Sequence, residues 1–524
     1  MRVPGNWLAD RGRRAVVAVL TGALPVFAFP APSWWWFAWV CLVPWVLLIR
    51  SAPSGRQAAY DGWLGGFGYM VAVHHWLIPS LNVFTFVIAA LLGALWAPWG
   101  RLVRHFLAGA PTGPRVGAAL LVLPSGWLMV ELVRSWQGLG GPWGLLGSSQ
   151  WQVQPALRLA SVGGVWLLSF LLVGVNVAVA VVVSVRSARL PALAGLLAAV
   201  AATSAAWVWA PRPDTDGRVR IAVVQPGVVD GADSAARRFA LEERLTRELA
   251  GQHPDLVVWG ESSVGFDLAH RPDLAQRVAA LSRAVGADVL VNVDARRSDR
   301  PGIYKSSVLV GPDGLTGDRY DKMRLVPFGE YIPARSVLGW ATSVGRAAGE
   351  DRRRGTEQVV MNAGHGLRVG PLICFETAFP DMSRHLAEDG ADILVAQSST
   401  SSFQRSWAPE QHASLAALRA AETGRPAVHA TLTGVSAVYG PSGERVGSWL
   451  GTRERASTVY EVPLAHGVTP YVRFGDWPVY GALLILAGMC AAEGFAAFRA
   501  RRVAPVPRSP RARTAHESPV RHGH

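Results

Sequence analysis

A multi-span α-helical membrane domain joined to an α/β domain is the fold class that this sequence predicts, on three observations. Half of the 524 residues are hydrophobic and 22 are Trp, which is more apolar and aromatic than an ordinary soluble enzyme. Apolar segments of roughly bilayer-spanning length crowd residues 1–210 and recur once at 477–498. Between them, over 211–470, short β-branched runs alternate with helical and turn-rich stretches, the pattern of an α/β domain.

Taken in order, the apolar segments fall at about 15–31, 33–49, 62–78, 83–100, 116–133, 161–184, 190–210 and 477–497, so eight spans are expected. Those at 62–78 and 190–210 are diluted by Gly and other small residues. The first follows "RGRR" as a signal peptide would. A second apolar segment comes within a few residues, however, without a convincing small-residue cleavage site, so a retained helix is expected.

Arg residues set the orientation. Arg2, Arg11, Arg13 and Arg14 precede the first segment, Arg50 and Arg56 follow the second, and Arg101, Arg104 and Arg115 follow the fourth. Arg186 and Arg189 follow the sixth, and Arg499, Arg501 and Arg502 follow the last. Every second connection is basic. The positive-inside rule then puts both termini in the cytoplasm and 211–470 outside a plasma or inner membrane. Arg134 and Arg158 break this pattern on the outer side. Trp34–Trp36 read as interfacial belt residues. Adjacent His74 and His75 point in different directions on a helix, so a shared metal site is not expected. The Arg/Pro-rich tail, 499–524, has little to bury and is expected to be disordered.

The net charge of +14 is spread over membrane edges and the tail and forms no Arg/aromatic stripe, so no nucleic-acid partner is expected. Three cysteines without paired spacing exclude a disulfide framework and a CxxC metal or redox site.

In the outer segment the runs at 220–228, 255–261, 288–294, 306–314, 367–376 and 392–399 read as strands. Three strand ends finish in reactive residues: Glu261 in "VVWGES", Lys322 in "RYDKMRLVPFGEYIP" and Cys374 in "LICFET". Strand ends are where α/β folds build sites. A thiol is mostly protonated near neutral pH, so a nucleophilic Cys374 needs a base and a positive neighbour, which Glu261 and Lys322 would supply. Lysine usage strengthens this reading. The chain has only Lys305 and Lys322 among 51 basic residues, so a lysine is used where a compact ammonium is needed. Lys305 qualifies by the same logic, without a role.

The order Glu, Lys, Cys on strand ends resembles the nitrilase superfamily of carbon–nitrogen hydrolases. With the membrane segments, the whole chain resembles the apolipoprotein N-acyltransferase family. The phrases "VVWGES", "YDKMRLVPFGEYIP", "GPLICFE", "GWLMVELVRSW" and "GGPWGLLGSSQ" carry the likeness. The resemblance implies a nitrilase-like four-layer α-β-β-α sandwich for 211–470. It also implies an acyl transfer from a membrane phospholipid, through a cysteine thioester, to the amine of a diacylglyceryl-cysteine on an apolipoprotein. Glu261 becomes the general base, Lys322 the oxyanion-stabilising cation and Cys374 the nucleophile; Glu330 and Glu376 match supporting acids. It implies no cofactor or metal, and a monomer is expected. Three positions depart from the pattern: Lys305–Ser306 stand where Asn-Ser is expected, Phe375 where Tyr is frequent, and 398–403 lacks an Asn and a Trp. A membrane-anchored amidase and a non-catalytic lipid- or peptide-binding membrane protein are the competing readings. An anchor needs one span, and few ionisable residues sit within the spans, Asp61 and Glu131 being placed near their ends.

Overall fold

The computed structural model describes residues 10–231, 233–333, 335–338 and 349–503. The N-terminal half is a helical bundle: α1 (Arg11–Ala23), α2 (Val43–Arg50), α3 (Gly55–Val73), α4 (Ile78–Leu81), α5 (Val83–Gly93), α6 (Trp96–Leu107), α7 (Gly113–Arg134), α8 (Gln154–Ser184) and α9 (Arg189–Trp209). A last long helix, α16 (Trp477–Val503), returns to pack against α7. By length and composition α7, α8, α16 and the stretch Arg186–Trp209 can cross a bilayer, and α5 with α6, bent by 41°, forms a fifth candidate. The segments at 15–31, 33–49 and 62–78 are shorter or more Gly-rich than a full apolar span: α1 with a 3-10 turn, a 3-10 turn running into α2, and α3. The count of eight therefore reduces to four or five on length and composition. Helix α16 also runs five residues into the stretch expected to be a disordered tail; residues 504–524 lie outside those described.

Small residues let the bundle close. Gly22, Gly62, Gly66, Gly68, Gly93 and Gly100 sit where neighbouring backbones touch, and Trp45, Trp96, Trp99 and Trp127 fill the centre as a ring cluster. Asp61 lies near the start of α3 but is closed off from water. It is fully buried and accepts bonds from Arg14 at 2.6, 3.0 and 3.1 Å, while Arg14 also donates to the Leu48 carbonyl. Glu131 is likewise buried and accepts from Trp127 Nε1 and the Leu146 amide. Both carboxyl groups lie near helix ends as expected but inside the bundle, where surrounding hydrogen-bond donors make an acidic side chain tolerable.

The α/β domain holds two six-stranded mixed sheets. The first has the order β12 (Ala456–His466), β1 (Asp214–Gln225), β2 (Leu256–Trp259), β3 (Asp288–Arg296), β4 (Ile303–Gly311), β5 (Gly314–Asp321). The second runs β11 (Arg445–Leu450), β10 (Ser436–Tyr439), β9 (Ala427–Thr431), β8 (Ile393–Ser398), β7 (Arg368–Ile373), β6 (Met361–Asn362). Period-2 alternation sends Ile221, Val223, Val258, Leu290 and Leu309 inward against Val369, Ile393, Val395 and Val428 of the other sheet. The opposite faces bury Val224, Trp259 and Val291 under α10 (Ser234–Arg247) and α11 (Pro272–Val285). The second sheet is covered by α13 (Pro380–Glu388) and α14 (Ala408–Thr423); the short α12 (Arg335–Leu338) lies apart from it, and α15 (Pro470–Phe474) packs its buried Tyr471 against α8. The result is the expected four-layer α-β-β-α sandwich.

Helix α14 joins the two halves. Gln411 Oε1 accepts from Trp76 Nε1 and Trp143 Nε1, at 3.2 and 3.0 Å, and its Nε2 donates to the Pro30 carbonyl. Helix α8 breaks at Gly163–Gly164, and the Val165 amide freed there donates to Glu422 Oε1 at 2.8 Å.

Candidate active site

Cys374 stands immediately beyond β7, with φ at +53°, on a turn that projects it from the sheet's end. Such a conformation is costly for a residue bearing a Cβ, and strain of this kind collects at reactive positions. Two neighbours hold the turn. His412, on α14, donates from Nε2 to the Cys374 carbonyl at 2.9 Å. Glu376 accepts the Ile373 amide on one oxygen and, on the other, the Tyr320 hydroxyl and the amides of Met323 and Arg324. Glu376 thus pins the cysteine turn to the segment that carries Lys322.

Glu261 follows β2 by two residues, after Gly260. A Cβ on Gly260 would lie 1.9 Å from the Leu432 amide nitrogen, so only glycine lets β2 run that close to the other sheet. The Glu261 carboxylate accepts from Lys305 Nζ at 2.8 Å and Lys322 Nζ at 3.2 Å, and the Cys374 thiol also bonds to it. Lys322 is fully buried and bonds Glu330 Oε1 at 2.7 Å. The other Glu330 oxygen accepts the Val326 amide, and Lys305 reaches Glu330 at 3.3 Å. Two ammonium groups and two carboxylates therefore interlock around one thiol.

Burial alone would raise the Glu261 pKa, but Lys305, then Lys322, reverse this and hold it at about 2. Both lysines are pushed above the usual ammonium range: burial opposes the charge, and Glu261 and Glu330 outweigh it. The Cys374 thiol is driven up to about 12, first by burial and then by the Glu261 charge. At rest burial keeps the thiol protonated beside an ionised carboxylate. His412 is lowered to about 4 by burial, so it stays a neutral donor.

A mostly apolar cavity of about 330 Å³ opens beside the thiol, between the bundle and the α/β domain. Cys374, Phe375 and His412 form one wall; Leu81, Ile88 and Leu92 form the opposite one. Ser399, Thr400 and Phe403, from the departing 398–403 stretch, line it as well. Arg134 lies on its edge and donates to the carbonyls of Trp143 and Gly144, shaping the 138–144 loop across Phe375. Among the described residues no group of three His, Cys, Asp or Glu side chains could hold a metal ion.

The three residues read from the strand ends converge, as do Glu330, Glu376 and Phe375. Lys305, which carried no role in the sequence, is the lysine nearer to Glu261. His412 went unrecognised, because a lone histidine in a helical run carries no signal of the turn it will meet.

A two-sheet sandwich with a Glu, Lys and Cys cluster defines a carbon–nitrogen hydrolase domain, and the carbon–nitrogen hydrolase family model matches residues 220–466. The apolipoprotein N-acyltransferase N-terminal domain matches residues 21–178. The chain belongs to the apolipoprotein N-acyltransferase family. It is 31% identical to the apolipoprotein N-acyltransferase of Azotobacter vinelandii over 96% of this chain and 97% of that protein. It is 30% identical to that of Geobacter metallireducens, over 91% and 95%. Among solved structures, an amidase from Nesterenkonia sp. is 18% identical over 51% of this chain and 95% of its own, with a TM-score of 0.35.

Proposed function

We propose that the protein transfers an acyl chain from a membrane phospholipid to the N-terminal amine of a diacylglyceryl-cysteine on apolipoproteins, in two half-reactions on Cys374. The single observation carrying this reading is that Cys374, backed by the buried Glu261, Lys305 and Lys322 cluster, lines an apolar cavity walled by both the bundle and the α/β domain.

In the first half-reaction Glu261 takes the thiol proton as sulfur attacks the ester carbonyl. The compact Lys322 ammonium stabilises the tetrahedral oxyanion. Collapse breaks the carbon–oxygen bond, and Glu261 returns the proton to the departing lysophospholipid alkoxide. In the second the acceptor amine attacks the thioester, Glu261 takes its proton, and the carbon–sulfur bond breaks to regenerate the thiol. A resting thiol near 12 fits this order, because its proton leaves only when a substrate occupies the cavity. Lys305 keeps Glu261 ionised, and Glu330 orients Lys322.

The Arg distribution supports a multi-pass protein of the plasma or inner membrane with both termini cytoplasmic and the catalytic domain outside. The water-accepting amidase alternative is disfavoured by the matches to the acyltransferase family over both halves of the chain. The test is mass spectrometry of Cys374 after incubation with phospholipid alone. An acyl adduct that disappears when a diacylglyceryl-cysteine peptide is added is expected; an unmodified Cys374 in a chain that still transfers would overturn the thioester route.

A further inference from the structure

A second pocket, of about 160 Å³, lies where the start of α8, the end of α9 and the far end of α14 meet. It carries a larger polar share than the acyl cavity and holds two arginines. Arg158, Arg212, Gln154, Ser161 and Ser442 supply its polar groups, Trp207 with aliphatic and proline side chains supplies the rest, and no carboxylate lines it. Arg158 is only 7% exposed, donates to the Ala210 carbonyl at 3.2 Å, and forms no ion pair among the described residues. Arg212 lies over the Trp207 ring, 5.8 Å from its centroid. The Arg158 guanidinium, largely withdrawn from water without a counter-ion, is costly to bury, and with the exposed Arg212 beside it on the same pocket it calls for an anion. The planar forks of two arginines suit phosphate oxygens, which accept paired hydrogen bonds.

The location selects the source of that phosphate. Trp207, Val208 and Trp209 at the end of α9 are exposed and apolar, Trp209 by 78%, as at a bilayer interface. The pocket is large enough for a headgroup phosphate but not for acyl tails, which would run down the exposed side of α9. It is also separate from the reacting thiol. Ala408 and His412 at the start of α14 line the acyl cavity and Ala421 near its end lines this pocket, roughly 14 to 20 Å away at the rise of a helix.

We propose that Arg158 and Arg212 bind the phosphate of a membrane lipid headgroup at a non-catalytic site that seats the α/β domain on the bilayer surface. This also accounts for Arg158, which breaks the alternation of basic connections.

The test uses the full chain carrying Cys374→Ala, so that no lipid turns over, in a neutral phosphate-free detergent. Phosphatidylglycerol, diacylglycerol with the same acyl chains, and inorganic phosphate are titrated separately, and retained molecules per chain are counted by native mass spectrometry. One more phosphatidylglycerol is expected on this chain than on the same chain bearing Arg212→Gln, whose affinity for that molecule should fall about tenfold. Diacylglycerol should show no such difference. Arg212 is exposed, so its replacement should leave the unfolding temperature unchanged and decides the matter even if Arg158→Gln does not fold. Equal phosphatidylglycerol retention with and without Arg212, or equal retention of diacylglycerol, overturns the site. Binding of inorganic phosphate without preference for the lipid overturns its assignment to a lipid.

Discussion

Two ammonium groups crowd the Glu261 carboxylate where one would make an oxyanion donor. Lys305 sits at 2.8 Å from it and Lys322 at 3.2 Å, and only Lys322 is wholly withdrawn from solvent. We expect Lys305→Met to let burial raise the Glu261 pKa, with Lys322 alone opposing it. The acid limb of thioester formation should then move up in pH by about 1 to 3, read from loading rates across pH. A uniform loss of rate with an unchanged profile would leave Lys305 a purely structural role. The linkage has a definite sign. Glu261 is depressed from 4.5 to about 2, so its ion pairs contribute stability above pH 4.5 that is lost as pH falls toward 2. Unfolding temperatures across that window should fall less steeply for Lys305→Met. Lys322→Arg is a separate test. A guanidinium cannot fill the fully buried space between Glu330 and Glu261 without moving the donor, and we expect acyl transfer to drop about 100- to 1000-fold in a folded protein. Near-normal transfer would reduce Lys322 to a partner of Glu330.

At the scale of elements, the site depends on backbone approaches that no charged residue makes. Gly260 brings β2 against Leu432, and Glu261 follows directly. Gly260→Ala should destabilise the α/β domain by about 1–3 kcal/mol or more in denaturant unfolding, and should slow Cys374 loading because Glu261 shifts with the strand. A stable Gly260→Ala protein with normal loading would show that the close approach can relax. Helix α8 offers a second case. Gly164 has φ at +66°, and a Cβ there would lie 2.6 Å from the Tyr471 ring. The break leaves the Val165 amide for Glu422, so a membrane helix and α14 share a hydrogen bond.

For the whole molecule, the consequential fact is that the acyl cavity belongs to neither half. Leu81, Ile88 and Leu92 come from the bundle, and Cys374, Phe375 and His412 from the sandwich. A substrate bound there would touch residues of both halves while it reaches the thiol. The proposed orientation predicts that a membrane-impermeant thiol reagent, admitted through any outer wall, labels Cys374 from outside intact cells. Cys41 is buried and should stay unlabelled. Labelling of Cys374 only in inverted vesicles would reverse the topology. Truncation after Val503, where α16 ends, should leave transfer largely intact, since Arg499, Arg501 and Arg502 remain to anchor the helix; loss of transfer in a truncated chain that still inserts would assign the tail a function.

Apolar run length, period-2 alternation and the placement of Glu261, Lys322 and Cys374 at strand ends are local properties, so the sequence by itself determined the two-part architecture and pointed to three residues that converge at the candidate site. Six strands were legible because their β-branched runs are bounded by turn residues; β5, β6 and β9 to β12 were not singled out. Span number was legible only in part, because α1, α2 and α3 are held by Gly–backbone and Trp packing more than by length. The partners of Asp61, the second lysine at Glu261 and the His412 contact with the cysteine turn were decided by tertiary structure alone. Each joins residues between 38 and 47 positions apart in the chain, and hydrogen bonding between such residues depends on which surfaces close packing brings together.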